Sequence, residues 1–84
     1  MTNDEKVRLR ERAIGFLNRG RALPDALHEV MSLIPQVGRL TTGQLLRIES
    51  RINAINEDRR RRHLNDKQAI EKFLDDLDAV LSPS

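Results

Sequence analysis

The sequence of 84 residues contains no cysteine, tryptophan or tyrosine, and each absence excludes a class of protein. Without cysteine, neither a disulfide nor a thiolate metal site can stabilise the small core. Phe16 and Phe73 are the only aromatic residues. Two are too few for the alternation of basic and aromatic side chains that stacks on single-stranded nucleic acid. No apolar run approaches the ~18 residues of a spanning helix, so we expect no association with a membrane.

The residue patterns of catalysis and of cofactor binding are missing as well. The four glycines form neither a P-loop nor a dinucleotide fingerprint. His28 and His63 stand far apart in the sequence, so a zinc site is not expected. We therefore predict that the protein is not an enzyme and that it binds no cofactor.

The length predicts one small helical domain, residues 1–84. A chain this short buries only about 60–65% of its unfolded surface. With 38% apolar residues, its core supplies roughly 3–5 kcal/mol. Self-association is a common way to add stability, so we expect a homodimer. The polar start, Met-Thr-Asn-Asp-Glu-Lys, does not resemble a signal peptide and predicts a cytoplasmic protein.

Apolar residues recur at helical spacing in four segments, and none of them alternates as a strand does. The predicted helices are approximately 3–19, 24–34, 42–62 and 66–81. This pattern indicates an all-α fold, a small three- or four-helix bundle. Asn65 and Asp66 favour a break after the third segment. The last two segments are therefore either a helical hairpin or one long helix.

Several residues depart from the helical pattern. Lys6 and Arg10 fall on the apolar half of the first helix, which predicts loose packing at its start. Gly15 costs about 1 kcal/mol relative to alanine inside a helix, so we expect close helix packing there. Leu46 lies opposite the apolar seam of the third helix, and if exposed it would mark a partner surface.

Charge is divided unevenly along the chain. Residues 1–62 contain thirteen Lys or Arg and eight Asp or Glu, whereas residues 63–84 contain two and five. The run 59–62 is four arginines, more than a helix dipole requires, and the surplus indicates an acidic protein surface or a phosphate backbone as partner. A solvated helix end explains the run equally well. The acidic residues Asp75, Asp76 and Asp78 either pair with these arginines, dock on a basic surface, or serve solubility.

These features predict a small non-catalytic interaction protein that regulates a larger partner by binding its acidic surface through an arginine-rich helical face. The alternative is a DNA- or RNA-binding regulator, because the second and third segments resemble a helix-turn-helix in outline, although their connection is longer than usual. Candidate residues for binding a protein or nucleic acid are Gln44, Arg47, Arg51, Arg59, Arg60, Arg61 and Arg62. Candidate residues for oligomerisation are Phe73 and Leu77.

Overall fold

The four predicted helices are present in the structure, a computed structural model that describes residues 1–81. They are α1 (Asn3–Asn18), α2 (Leu23–Ser32), α3 (Thr42–Arg60) and α4 (Asp66–Leu81). A 3₁₀ helix, Pro35–Arg39, occupies the connection that the sequence predicts as a loop. Residues 1–81 contain no strand, and the prediction of a small all-α bundle is confirmed.

Side-chain caps fix where α3 and α4 begin. The Thr41 hydroxyl accepts from the Gln44 backbone N–H at 3.2 Å, and the Gln44 side-chain oxygen accepts from the Thr41 N–H at 2.9 Å. Asn65 and Gln68 make the same reciprocal pair before α4, at 2.8 and 3.0 Å. Each pair satisfies two N–H groups that a helix start leaves without partners.

The break between α3 and α4 lies at Arg62, whose φ of 62° places it in the left-handed region. There the N–H of His63 donates to the carbonyl of Asp58 at 2.9 Å, and the N–H of Arg62 donates to the carbonyl of Arg59 at 3.0 Å. This double closure is the Schellman ending, which favours glycine at the left-handed position. The same ending closes α1 with Gly20 at φ 90°. The chain therefore forms two helices here and not one long helix.

One core joins all four helices, and α4 packs against both α1 and α3. The largest buried side chains are Leu23, Leu27, Val30, Ile48, Ile52, Ile55, Ile70, Phe73, Leu74 and Leu77. Phe73 and Leu77 are each 1% exposed inside this core. Within one copy of the chain, both side chains therefore pack in the core, and their role in oligomerisation stays a prediction.

Leu33 is the C-cap of α2 and is 43% exposed. One expectation about packing is corrected by the structure. A Cβ added at Gly15 would meet no heavy atom within 4 Å, so the predicted close packing at this glycine is wrong.

Within residues 1–81, none of the helices has the length and apolar character that crossing a membrane requires.

Candidate functional site

The arginine run lies at the end of α3, and most of it is already paired within the chain. The Arg59 guanidinium meets Asp66 at 3.3 Å. Arg60 and Arg61 meet Glu57 at 3.3 and 4.0 Å. Arg62 forms no ion pair with any residue from 1 to 81. The local charge is therefore partly compensated by nearby carboxylates.

Gln44 lies in the first turn of α3, where its side-chain oxygen is held in the Thr41 capping box. This oxygen accepts the Thr41 N–H at 2.9 Å, and the side chain is only partly exposed. The NH₂ group of the Gln44 amide and the second lone pair of its oxygen are left to meet a partner.

The outer face of α3 carries an exposed leucine beside two arginines. Leu46 is 64% exposed, more than any other large apolar residue described. Arg47 and Arg51 are exposed and make no ion pair within residues 1–81. Helical spacing places Leu46, Arg47 and Ser50 on the side opposite the buried Ile52. We call Leu46, Arg47, Ser50 and Arg51 the α3 face.

Three acidic residues further along α4, Glu71, Asp75 and Asp78, pair with α1 and not with the arginine run. The Arg10 guanidinium donates to the Glu71 carboxylate at 2.8 Å. Lys6 Nζ lies 3.2 Å from an Asp75 oxygen and 3.3 Å from an Asp78 oxygen. Asp75 and Asp78 are thus paired within the chain, as one of the three explanations expected. Their partner is Lys6 of α1, however, and not the run at 59–62.

Asp78 is the centre of this ionic contact because it also meets the amino group of Met1. The Met1 ammonium donates to Asp78 Oδ1 at 2.8 Å. This hydrogen bond, with a further one from Lys6, lowers the pKa of the Asp78 carboxyl below its ordinary value. The hydrogen bonds to Asp75 and Asp78 raise the pKa of the Lys6 ammonium. The contact therefore fastens the start of the chain to the end of α4.

A second positive surface, which the sequence analysis did not select, lies along α1. Arg8, Arg12 and Arg19 are exposed and make no ion pair within residues 1–81. With Gly15 they border a shallow cleft of about 350 Å³. The spacing of 4, 3 and 4 residues places all four on one stripe of the helix. That spacing is readable in the sequence, although the run at 59–62 is the denser group of positive charges.

No group of three or more His, Asp or Glu side chains within residues 1–81 is placed to hold a metal ion. His28 Nε2 lies 2.9 Å from both carboxylate oxygens of Glu49 on the surface. This contact ties α2 to α3.

No family model matches this chain, and neither a curated protein nor a solved structure is significantly similar to it. Proposals about function therefore rest on the surfaces described above: the α3 face, the arginine run and the stripe on α1.

Proposed function

We propose that this chain is a small non-catalytic binding protein that regulates a larger partner by docking the α3 face on an acidic surface of that partner. The observation that carries the proposal is the 64% exposure of Leu46. Full burial of a leucine side chain contributes about 1.5–3 kcal/mol, so a partner that covers Leu46 gains a substantial part of that free energy. Such an apolar anchor beside charges is typical of a protein interface.

The cations around Leu46 supply the electrostatic part of the interaction. Arg47 and Arg51 have no carboxylate partner within residues 1–81 and are free to meet one on another protein. Arginine suits this role because its guanidinium binds a carboxylate in bidentate fashion.

The arginine run extends the same positive helix towards its C-terminal end. Its pairs with Glu57 and Asp66 are exposed. Exposed ion pairs contribute only about 0.2–1 kcal/mol each. A partner's carboxylates can therefore replace them at little cost. The positive surface then extends over roughly 20 Å of α3, from Arg47 to Arg60.

The alternative is a nucleic-acid-binding regulator in which α3 enters a groove. The free guanidinium groups of Arg47 and Arg51 near the start of α3 favour it. The exposed Leu46 between them and the helix start favours a protein, because a leucine there meets no charge or hydrogen-bonding group of a phosphate backbone.

The test places a photo-crosslinking residue at Leu46 in one variant and at Val7 in a control variant, both expressed in the native cells. Val7 is 40% exposed on α1, so it reports capture at an apolar position outside the α3 face. We expect a discrete protein adduct at Leu46 that is absent at Val7. The adduct should disappear when Arg47→Glu and Arg51→Glu are added.

The other outcomes decide between the alternatives. Equal adducts at both positions, or none, would contradict docking through the α3 face. A nuclease-sensitive adduct would favour the nucleic-acid alternative, and binding of a labelled random-sequence duplex should then fall by roughly 10³–10⁵ between 50 and 200 mM salt for 6–10 phosphate contacts. A crosslink between two copies would assign the face to the predicted homodimer.

A further inference from the structure

We propose that the stripe on α1 formed by Arg8, Arg12, Gly15 and Arg19 is a second docking surface, and that it binds an acidic helix of a partner protein. The first observation is that some cations of α1 form ion pairs within the chain and others do not. Lys6 and Arg10 on one side of the helix meet carboxylates of α4. The arginines of the stripe meet none within residues 1–81.

The dimensions of the stripe fit a helix lying along α1. Arg8 and Arg19 are eleven residues apart, which corresponds to roughly 16 Å along the helix axis. Carboxylates three or four residues apart on an opposing helix would share one face and could meet guanidinium groups along this length. The charge on the stripe therefore calls for a partner helix with acidic residues at that spacing.

Gly15 is the second observation. Glycine is unfavourable inside a helix, and packing within the chain does not require it, since an added Cβ would meet nothing within 4 Å. It lies in the cleft of about 350 Å³ between the arginines. A residue without a side chain lets another backbone approach closely. The glycine thus keeps open the space that an incoming helix would occupy.

The neighbourhood of the stripe favours a protein over a nucleic acid. An adjoining cleft of about 300 Å³, also lined by Arg8 and Arg12, contains Leu33 and Pro35. Leu33 is 43% exposed and offers an apolar contact next to the cations.

The experiment is a selection of random 16-residue peptides displayed on phage, made on the wild-type protein after depletion on the Gly15→Leu variant. Leucine is a better helix former than glycine, and here its side chain would fill the cleft. A higher thermal midpoint for this variant would show that lost binding is not caused by unfolding. We expect the enriched peptides to carry Asp or Glu three or four residues apart.

A synthetic copy of one enriched peptide then tests the contacts by fluorescence anisotropy. Its affinity should fall at least about tenfold for Gly15→Leu and for Arg8→Gln/Arg12→Gln/Arg19→Gln, because the close approach or the charged contacts are lost. It should be unchanged for Leu46→Ser, which alters the α3 face. That control separates this proposal from the proposed function, since the two surfaces share no residue.

Two results would overturn the proposal. One is a selection that yields no peptides specific for the open cleft, or peptides without the acidic pattern. The other is a labelled DNA duplex whose binding is lost in the triple arginine variant and retained in Gly15→Leu. That second result would identify the stripe as a phosphate-binding surface.

Discussion

Arg10 and Glu71 meet across the contact between α1 and α4, with a guanidinium nitrogen 2.8 Å from a carboxylate oxygen. In the sequence each of them breaks a local rule. Arg10 interrupts the apolar half of its helix, and Glu71 stands four residues from the like charge of Asp75. In the fold the positive charge of Arg10 and the negative charge of Glu71 neutralise one another. Lys6 extends the contact to Asp75 at 3.2 Å.

Reversing these charges one at a time should destabilise the protein, and reversing both should restore most of the stability. Arg10→Glu or Glu71→Arg places like charges together, which we expect to lower the free energy of unfolding by about 1 kcal/mol. The double variant should recover to within about 0.5 kcal/mol of wild type, as judged by urea unfolding. Additive losses in the double variant would show that the pair contributes nothing.

The ionic contact at Asp78 makes a prediction about pH. Its pKa is lowered in the folded state from an ordinary value of 3.8, chiefly by the Met1 ammonium. Ionised Asp78 therefore stabilises the fold above that value, and the contribution is lost as pH falls through the lower folded-state pKa. Asp78→Asn should be less stable than wild type between about pH 5 and 7, and the difference should shrink below pH 3.8.

Urea unfolding at several pH values measures this difference. Asp25→Asn is the matched control, because Asp25 makes no ion pair within residues 1–81. A gap between Asp78→Asn and wild type that does not shrink as the pH falls below 3.8 would contradict the linkage.

The sequence was sufficient for the number of helices and, to within one residue, for where they start, because helix starts are set by local chemistry. The second and third helices end two residues earlier than predicted, at Ser32 and Arg60. Capping residues such as Thr41 and Asn65 lie within three residues of the groups that they bond. The apolar seam predicted for α3, Leu45, Ile48, Ile52 and Ile55, faces inward: the three isoleucines are buried, and Leu45 is partly buried against the core. Local patterns thus give the elements and the inward-facing side of α3.

Contacts between distant parts of the chain were not predictable in this way. Arg10 and Glu71 are 61 residues apart, and no periodicity indicates which helix faces which. The sequence analysis did not predict that Asp66 pairs with Arg59 of the arginine run. The two side chains meet only because the chain turns between α3 and α4. The role of Gly15 was misjudged because its surroundings depend on the bundle and not on its own helix.

The left-handed residue at the end of α3 predicts a stabilising substitution. Arg62 adopts φ 62°, where a side chain is strained and glycine is not. Arg62→Gly should raise the free energy of unfolding by about 0.5–1 kcal/mol, the relief of strain exceeding the added freedom of the unfolded chain. The reverse change at the matching position of α1, Gly20→Ala, should lower it by a similar amount. Arg62→Gly less stable than wild type in thermal or urea unfolding would show that the guanidinium makes a contact worth more than the strain.

The positions of Phe73 and Leu77 predict that they support the folded chain itself. Each is 1% exposed within one copy, so Phe73→Ala should cost about 3–5 kcal/mol and Leu77→Ala about 2–5 kcal/mol. Losses of this size are comparable to the roughly 3–5 kcal/mol that the core of a chain this short supplies, so the variants should be largely unfolded monomers. Leu46→Ala is the control, because a leucine that is 64% exposed should change stability by less than about 0.5 kcal/mol. Circular dichroism with sedimentation velocity distinguishes a role in the core from a role between two copies. A dimeric wild type with a folded, monomeric Leu77→Ala variant would show that Leu77 lies at an interface between copies.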